Sequence, residues 1–516
     1  MKRFLHAQKT FFACSLLALI GIQNANQVYL ANSRKFKLSP TNKVYPQTAL
    51  IDSKENVLLV GLEPYLGREI IEDKNSPSLN LISNGRNLIL KDADGVVRKA
   101  KEINIGWRAK YLSEPKVFVR QKIGPLASFE SAESLASALK DKGIDSTIAH
   151  PLDWEVWVSE DVQIPQSINS TYQKIQVSKS VVPYIEGGNG KIPLKGPIFL
   201  HAPDGLRWRN GIYSGPFSIQ SDAYGSWTLV EHVPMETYLK GVVPHEIGSN
   251  SPGAALAAQA VLARTWAVAN SHRFNVDGYH LCSDTQCQVY KNPSKANQRI
   301  NQAIKKTAGK ILTWDQQPIN AVYHATNGGV MASVDEAWST DKVPYLQTRL
   351  DGPRHWSREV DLPLSNEKYL QSFLFSKSKA HGSDHPLFRW NRTLDASQIA
   401  QQLSKTQKVS RSFYPKKIKA ISRGSSGRVT SLEIQGNSDS KILLKLDDIR
   451  RVFRQLPSTL FVVREIKEGK WLFSGGGFGH GAGMSQSGAI DLAKNGWSTK
   501  QILDHYYPKT KYGFLP

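Results

Sequence analysis

Few architectures accommodate "VPHEIGSNSPGAALAAQAVLARTWAVAN", the stretch from Val243 to Asn270. Between Lys240 and His272 its only Asp, Glu, Lys or Arg residues are Glu246 and Arg264. The alanine-rich run predicts a long helix, with Asn250 or Ser251 as its cap and Pro252 in its first turn. Glu246 stands in the loop just ahead. Alone it reads as an ordinary loop residue, and Arg264, well along the helix, as a structural ion-pair partner.

Strands surround that helix. From about Ile51 to Trp107, "NVLLVGL", "SLNLIS" and "RNLILKDADGVVRKAKEI" alternate apolar and polar residues between turn signals, giving a β-rich part over 50–112. Residues 114–165 change rhythm. A strand leads to a cap at Ser131, an Ala/Leu-periodic helix to Lys142, a stop at Gly143 and two more strands. That β-α-β-β order resembles a sporulation-related repeat, a small glycan-binding module, and fits a plain α+β insert equally well. A strand-rich stretch from Lys191 to Glu231 feeds the alanine-rich helix. Mixed helices and strands fill His355 to Leu456, and the tail after Trp471 has glycines and then two short helices, the second capped by Ser498. The expected class is α+β: a strand-rich core with the alanine-rich helix, plus the small α+β insert.

At 516 residues the chain is long enough for two or three domains, and its net charge of +22 points to a polyanionic partner. The N-terminus narrows the choice. Lys2, Arg3 and Lys9 precede "FFACSLLALIGI", with Ala25 and Ala31 beyond as cleavage-site residues, so 1–31 reads as a signal peptide or N-terminal anchor. Export sets nucleic acid aside and leaves an anionic wall or membrane, the membrane being reached only through that segment. The expected location is the periplasm or cell wall. Beyond the leader only Cys282 and Cys287 remain. In an exported chain a close pair forms a disulfide. With His280 a zinc site can also be drawn, but it offers three ligands where zinc needs four.

Three stretches carry polar groups in unusual settings. "DTQCQVY" puts Gln288 and Tyr290 on one face of a strand, "AVYHATNGG" ends an apolar strand with Tyr323, His324 and Thr326, and "GGGFGHGAGMSQSGA" holds His480, Ser485 and Gln486 in a glycine-rich loop opening onto a helix. The run Gly477–Ala482 fits the dinucleotide fingerprint, but the chain ends too soon for a βαβ unit and Trp497 stands where the ribose-binding acid belongs. There is no Walker lysine, no G-x-S-x-G elbow and no H-E-x-x-H spacing.

Together with "VPMETYLKGVVPHEI", "VPYLQTRLD", "SSGRVTSLEIQG" and "ILDHYYPKT", these stretches are similar, in order, to the stage II sporulation protein D family, which includes amidase-enhancer proteins. The likeness covers at least Ile212 to Tyr512. It implies a lytic transglycosylase that cuts peptidoglycan glycan strands between N-acetylmuramic acid and N-acetylglucosamine, without a cofactor. Within it, 190–350 would be the core catalytic domain and 351–516 the part completing a glycan-binding groove. Glu246 matches the family's single catalytic acid, although His245 and Ile247 stand where the family often has Ser and Met. Gln288, Tyr290, Tyr323, His324 and Thr326 would hydrogen-bond the sugars, with His480, Ser485 and Gln486 on the other wall. A peptidoglycan amidase is the partner implied by the enhancer branch.

The chemistry accounts for a lone carboxylate. A hydrolase needs two, one to protonate and one to attack or to activate water. A lytic transglycosylase uses the sugar's own C6 hydroxyl as nucleophile, so one glutamate serves as acid and then as base. An apolar helix behind it would favour the protonated form that the first step needs.

Overall fold

The computed structural model describes residues 57–514, apart from 189, 407–408, 410–411 and 438–439. The expected leader, residues 1–31, lies outside the described residues. The fold is α+β. Among the described residues no helix is long and apolar enough to cross a membrane. The expected boundaries run along the chain, whereas the two compact units interleave. One comprises Met1–Pro125, Leu135–Glu246 and Ala267–Asn297; the other comprises Leu126–Ser134, Ile247–Trp266 and Gln298–Pro516.

In the first unit, alternation builds β1 (Val57–Leu66), which buries Leu58, Val60 and Leu62. The long β2 (Glu102–Leu126) follows, then α1 (Phe129–Lys140), whose first six residues fall in the Leu126–Ser134 segment of the other unit, then β3 (Thr147–Ala149) and β4 (Trp154–Val158). This is the strand–helix–strand–strand order, but α1 starts earlier than its expected cap. The Ser128 hydroxyl accepts from the Ser131 N–H at 3.2 Å, so Ser128 caps the helix and Ser131 lies in its first turn. Gly143, at φ 74°, ends it as expected.

The central strand β5 (Trp227–Pro234) pairs antiparallel with β1 and runs directly into α2 (Met235–Val243), which buries Tyr238, Leu239 and Val242. At the sheet edge, β6 (Leu281–Cys282) lies parallel to β1, with Val60 opposite Leu281 and Gly61 opposite Cys282. That pairing fixes the start of the cysteine loop.

In the second unit, the alanine-rich run forms α3 (Gly253–Ala269), and every residue from Ala255 to Val268 is buried. A helix with no polar face belongs in a core. Its few polar groups tie it down. The Thr265 hydroxyl accepts the Leu312 N–H at 3.0 Å, and Arg264 Nη1 donates to the Lys310 carbonyl at 2.9 Å, both on β7 (Lys310–Trp314). Arg264 is structural. The entry to α3 differs from the expected cap: Ser251 donates to the Ile247 carbonyl at 2.6 Å, and the Pro252 carbonyl accepts the first helical N–H groups, from Ala255 and Leu256.

Further along this unit, β8 (Tyr323–His324) lies parallel to β9 (Met484–Ser485), and α4 (Gln486–Lys494) leaves from the latter. Then α5 (Thr499–Tyr506) opens on a capping box of Ser498 and Gln501, and β10 (Lys511–Phe514) returns to pair with β7. Between these, three-stranded sheets pack around Trp390, Leu432, Phe461 and Trp471.

Candidate active site

Glu246 sits in a five-residue π turn, Pro244–Gly248, between α2 and α3, and is half-buried. Such wide turns gather at functional positions because they swing a side chain out of the helical register. Its Oε1 accepts the Val289 N–H at 2.8 Å, so one carboxylate oxygen is held by backbone.

The residues flanking Val289 face inward. Gln288 and Tyr290 are 2% and 1% exposed, and both are committed inside the unit. Gln288 Nε2 donates to the Tyr238 hydroxyl at 3.3 Å, and the Tyr290 hydroxyl donates to Glu231 at 2.7 Å. Tyr290 stacks on Tyr238 at 5.0 Å and lies over Gly241, where a Cβ would stand 2.5 Å from its ring. They lie in an irregular segment rather than the expected strand, and these bonds anchor the segment whose Val289 N–H holds Glu246.

Glu231 is a second carboxylate that the sequence reading missed. It is fully enclosed in β5, accepts from the Gly215 N–H at 3.1 Å and from Tyr290, and burial pushes its carboxyl up to about 7. Its signal was there: a lone acid in the apolar run "WTLVEHV".

Cys282 and Cys287 are joined, with Cα atoms 5.7 Å apart, immediately before Gln288. His280 turns away to accept the Leu59 N–H at 3.2 Å, and burial takes it down to about 4. The two sulfurs are thus committed to each other, and the third zinc ligand drawn from the sequence to β1. Within the loop, Gln286 receives a bond from the Trp154 indole at 2.7 Å and donates to His150 at 3.1 Å. Thiol titration of the unfolded, non-reduced protein should therefore find neither Cys282 nor Cys287 free. Two free thiols with one bound zinc per chain would overturn the pairing.

In the second unit the glycine-rich stretch is built on alternation. Gly477, Gly479, Gly481 and Gly483 have φ of 84°, 113°, 86° and 72°. A Cβ at Gly479 would stand 2.6 Å from that of His324, and one at Gly481 would stand 2.2 Å from the Arg428 guanidinium. The loop is therefore pressed against the strand carrying His324. His480 Nε2 bonds the Tyr323 carbonyl at 2.8 Å, and its ring packs against His324 at 5.2 Å and Trp338 at 4.7 Å. Loss of water around the ring, with Arg450 and Arg428 nearby, pushes His480 down to about 3, and burial likewise drives His324 well below its ordinary value. Both imidazoles are neutral at physiological pH.

Of the other residues expected here, Thr326 and Ser485 are buried. Thr326 exchanges backbone hydrogen bonds with Phe478, and the Ser485 hydroxyl caps α4 by accepting the Gly488 N–H at 3.2 Å. Gln486 donates to Gln259 of α3 at 3.3 Å, while Tyr323 is half-buried. Sequence reasoning missed Phe478, inside the glycine-rich stretch, and Trp338, nine residues beyond the Asn327-Gly328-Gly329 turn.

A family profile described as stage II sporulation protein matches residues 223–314, and one described as a domain of unknown function matches 332–483. The amidase enhancer of Bacillus subtilis is 31% identical over 291 residues, 53% of this chain and 40% of that protein, so the chain spans well under half its length. Stage II sporulation protein D of Bacillus subtilis is 28% identical over 55% of this chain and 75% of its own length. The protein of the same name from Bacillus amyloliquefaciens is 31% identical over 301 residues, 54% of this chain and 74% of its own. By that likeness the chain belongs to the stage II sporulation protein D family.

Proposed function

We propose that this chain is an exported lytic transglycosylase acting on peptidoglycan glycan strands, with Glu246 as its single acid and base. The observation that supports this best is the Val289 N–H bond, which orients a carboxylate that stays half open to solvent. In the first step Glu246 gives its proton to the glycosidic oxygen, and the bond from that oxygen to C1 of N-acetylmuramic acid breaks. In the second, the carboxylate takes the C6 hydroxyl proton while O6 bonds to C1. The proton returns to Glu246 and no water is consumed.

Other groups fit this division of labour. Glu231 is enclosed under Tyr290 and cannot reach a sugar. His324 and His480 are neutral and so are poorly suited to donate the first proton. Of the acids that could activate water instead, Asp335 accepts from Ser333 at 2.6 Å and lies 3.7 Å from Lys342, and Asp284 accepts the Gln286 N–H at 2.8 Å.

Digestion of purified, peptide-free glycan strands should release products ending in 1,6-anhydro-N-acetylmuramic acid, one water lighter than hydrolytic products in a mass spectrum. Intramolecular attack has the advantage of a tethered nucleophile, worth roughly 7–11 kcal/mol when well oriented. Reducing ends alone would replace this reading with hydrolysis, and Asp284 and Asp335 would be the first acids to test. No cleavage, with a peptidoglycan amidase accelerated in the same assay, would favour the activity named by the amidase-enhancer relative.

A further inference from the structure

Phe478 stands out against its immediate surroundings. It is a large apolar side chain, 43% exposed, in a loop whose neighbours are almost all enclosed. Its backbone is not loose. Phe478 N–H donates to the Thr326 carbonyl at 2.7 Å, and Thr326 N–H donates back to the Phe478 carbonyl at 3.3 Å. On either side Gly477 and Gly479 lie so close to the chain that a Cβ would stand 2.8 Å from the Thr326 carbonyl oxygen and 2.6 Å from His324 Cβ. The loop therefore holds an aromatic ring at the surface on a backbone that cannot retreat.

Resting on the glycan reading above, we infer that Phe478 is a stacking platform for an N-acetylhexosamine ring of the strand. One face of a pyranose in its chair form is a patch of C–H groups, apolar and slightly positive. It matches the negative face of an aromatic ring. A ring fixed before the ligand arrives loses little rotational freedom on binding, which favours affinity. The loop's other ring, His480, is committed inward, its Nε2 to the Tyr323 carbonyl at 2.8 Å and its Nδ1 to the Ala482 N–H at 3.2 Å, so Phe478 is the aromatic ring this loop leaves open.

The test uses the full chain in the Glu246→Gln background, so that binding is read without cleavage, with peptide-free glycan strands as the probe. Phe478→Leu, which keeps bulk but loses the aromatic face, should weaken retention about five- to tenfold, the range of a buried aromatic contact. Phe478→Trp should hold near the parent value, and thermal unfolding of both should match the parent. Equal retention of the Leu and parent proteins overturns the platform while leaving Glu246 untouched. A fall in melting temperature matching the loss of retention assigns Phe478 to the fold and overturns it too. A parent that retains no glycan overturns both the platform and the glycan reading. Cleavage that survives in the Glu246→Gln parent, beside a Leu variant that binds poorly, sinks only the role given to Glu246.

Discussion

Glycan cleavage should fall by at least about a hundredfold in Glu246→Gln, within the range that a lost general acid removes. The amide is isosteric, and its oxygen can still accept the 2.8 Å bond from Val289 N–H, so the turn keeps its anchor. What disappears is the transferable proton. Because the residue is half-buried and outside the apolar core, the melting temperature should stay within a degree or two of the parent. Strand retention should persist, since nothing in binding requires proton transfer. A stability loss on the scale of a core substitution would mark Glu246 as a structural residue, and cleavage at the parental rate would remove it from the chemistry altogether.

Gly483→Ala should be among the most damaging single-methyl changes in the second unit. At φ 72° the added Cβ would stand 2.0 Å from the Val322 carbonyl oxygen and 2.7 Å from the Tyr507 hydroxyl. Tyr507 is fully buried; its hydroxyl donates to Val322 and accepts the Met484 N–H at 3.0 Å. The methyl thus breaks a satisfied buried network as well as straining the backbone, a combination worth roughly 3 kcal/mol or more. For a unit of this size that is a drop of roughly 6–12 °C in calorimetric melting. Gly496→Ala is the control: φ is 83°, but no atom lies within 4 Å of the new methyl. It should lose only the left-handed penalty of about 1–2 kcal/mol. Equal losses in the two variants would mean that the loop relaxes away from Val322.

Features set by neighbours in sequence were legible without a structure. Ser498 caps α5 as expected, with Gln501 completing the box one turn on, and Gly143 stops α1 by its own φ. The alanine-rich helix and the structural role of Arg264 follow from composition and position. What failed to appear depended on partners far along the chain. Period-two alternation groups Gln288 with Tyr290 on one face but cannot say that Tyr238 and Glu231, some fifty residues upstream, lie against it. Ser128 and Ser131 compete for one cap within a single turn, a choice that backbone register settles. Interleaving of the compact units is invisible for the same reason, since no local pattern announces that α3 packs with β7. The exposure of Phe478 was invisible for the same reason, since only packing shows that this apolar ring stays outside the core.

Residues 114–165 cannot be lifted out like a cassette on a linker. The Trp154 indole and the His150 imidazole both bond Gln286, and Gln286 lies inside the loop that the Cys282–Cys287 bridge closes just before Val289. Trimming, exchanging or transplanting that insert therefore also disturbs the segment that grips Glu246. Module swaps in this chain should be cut elsewhere, because here the insert and the turn carrying Glu246 lean on one shared loop.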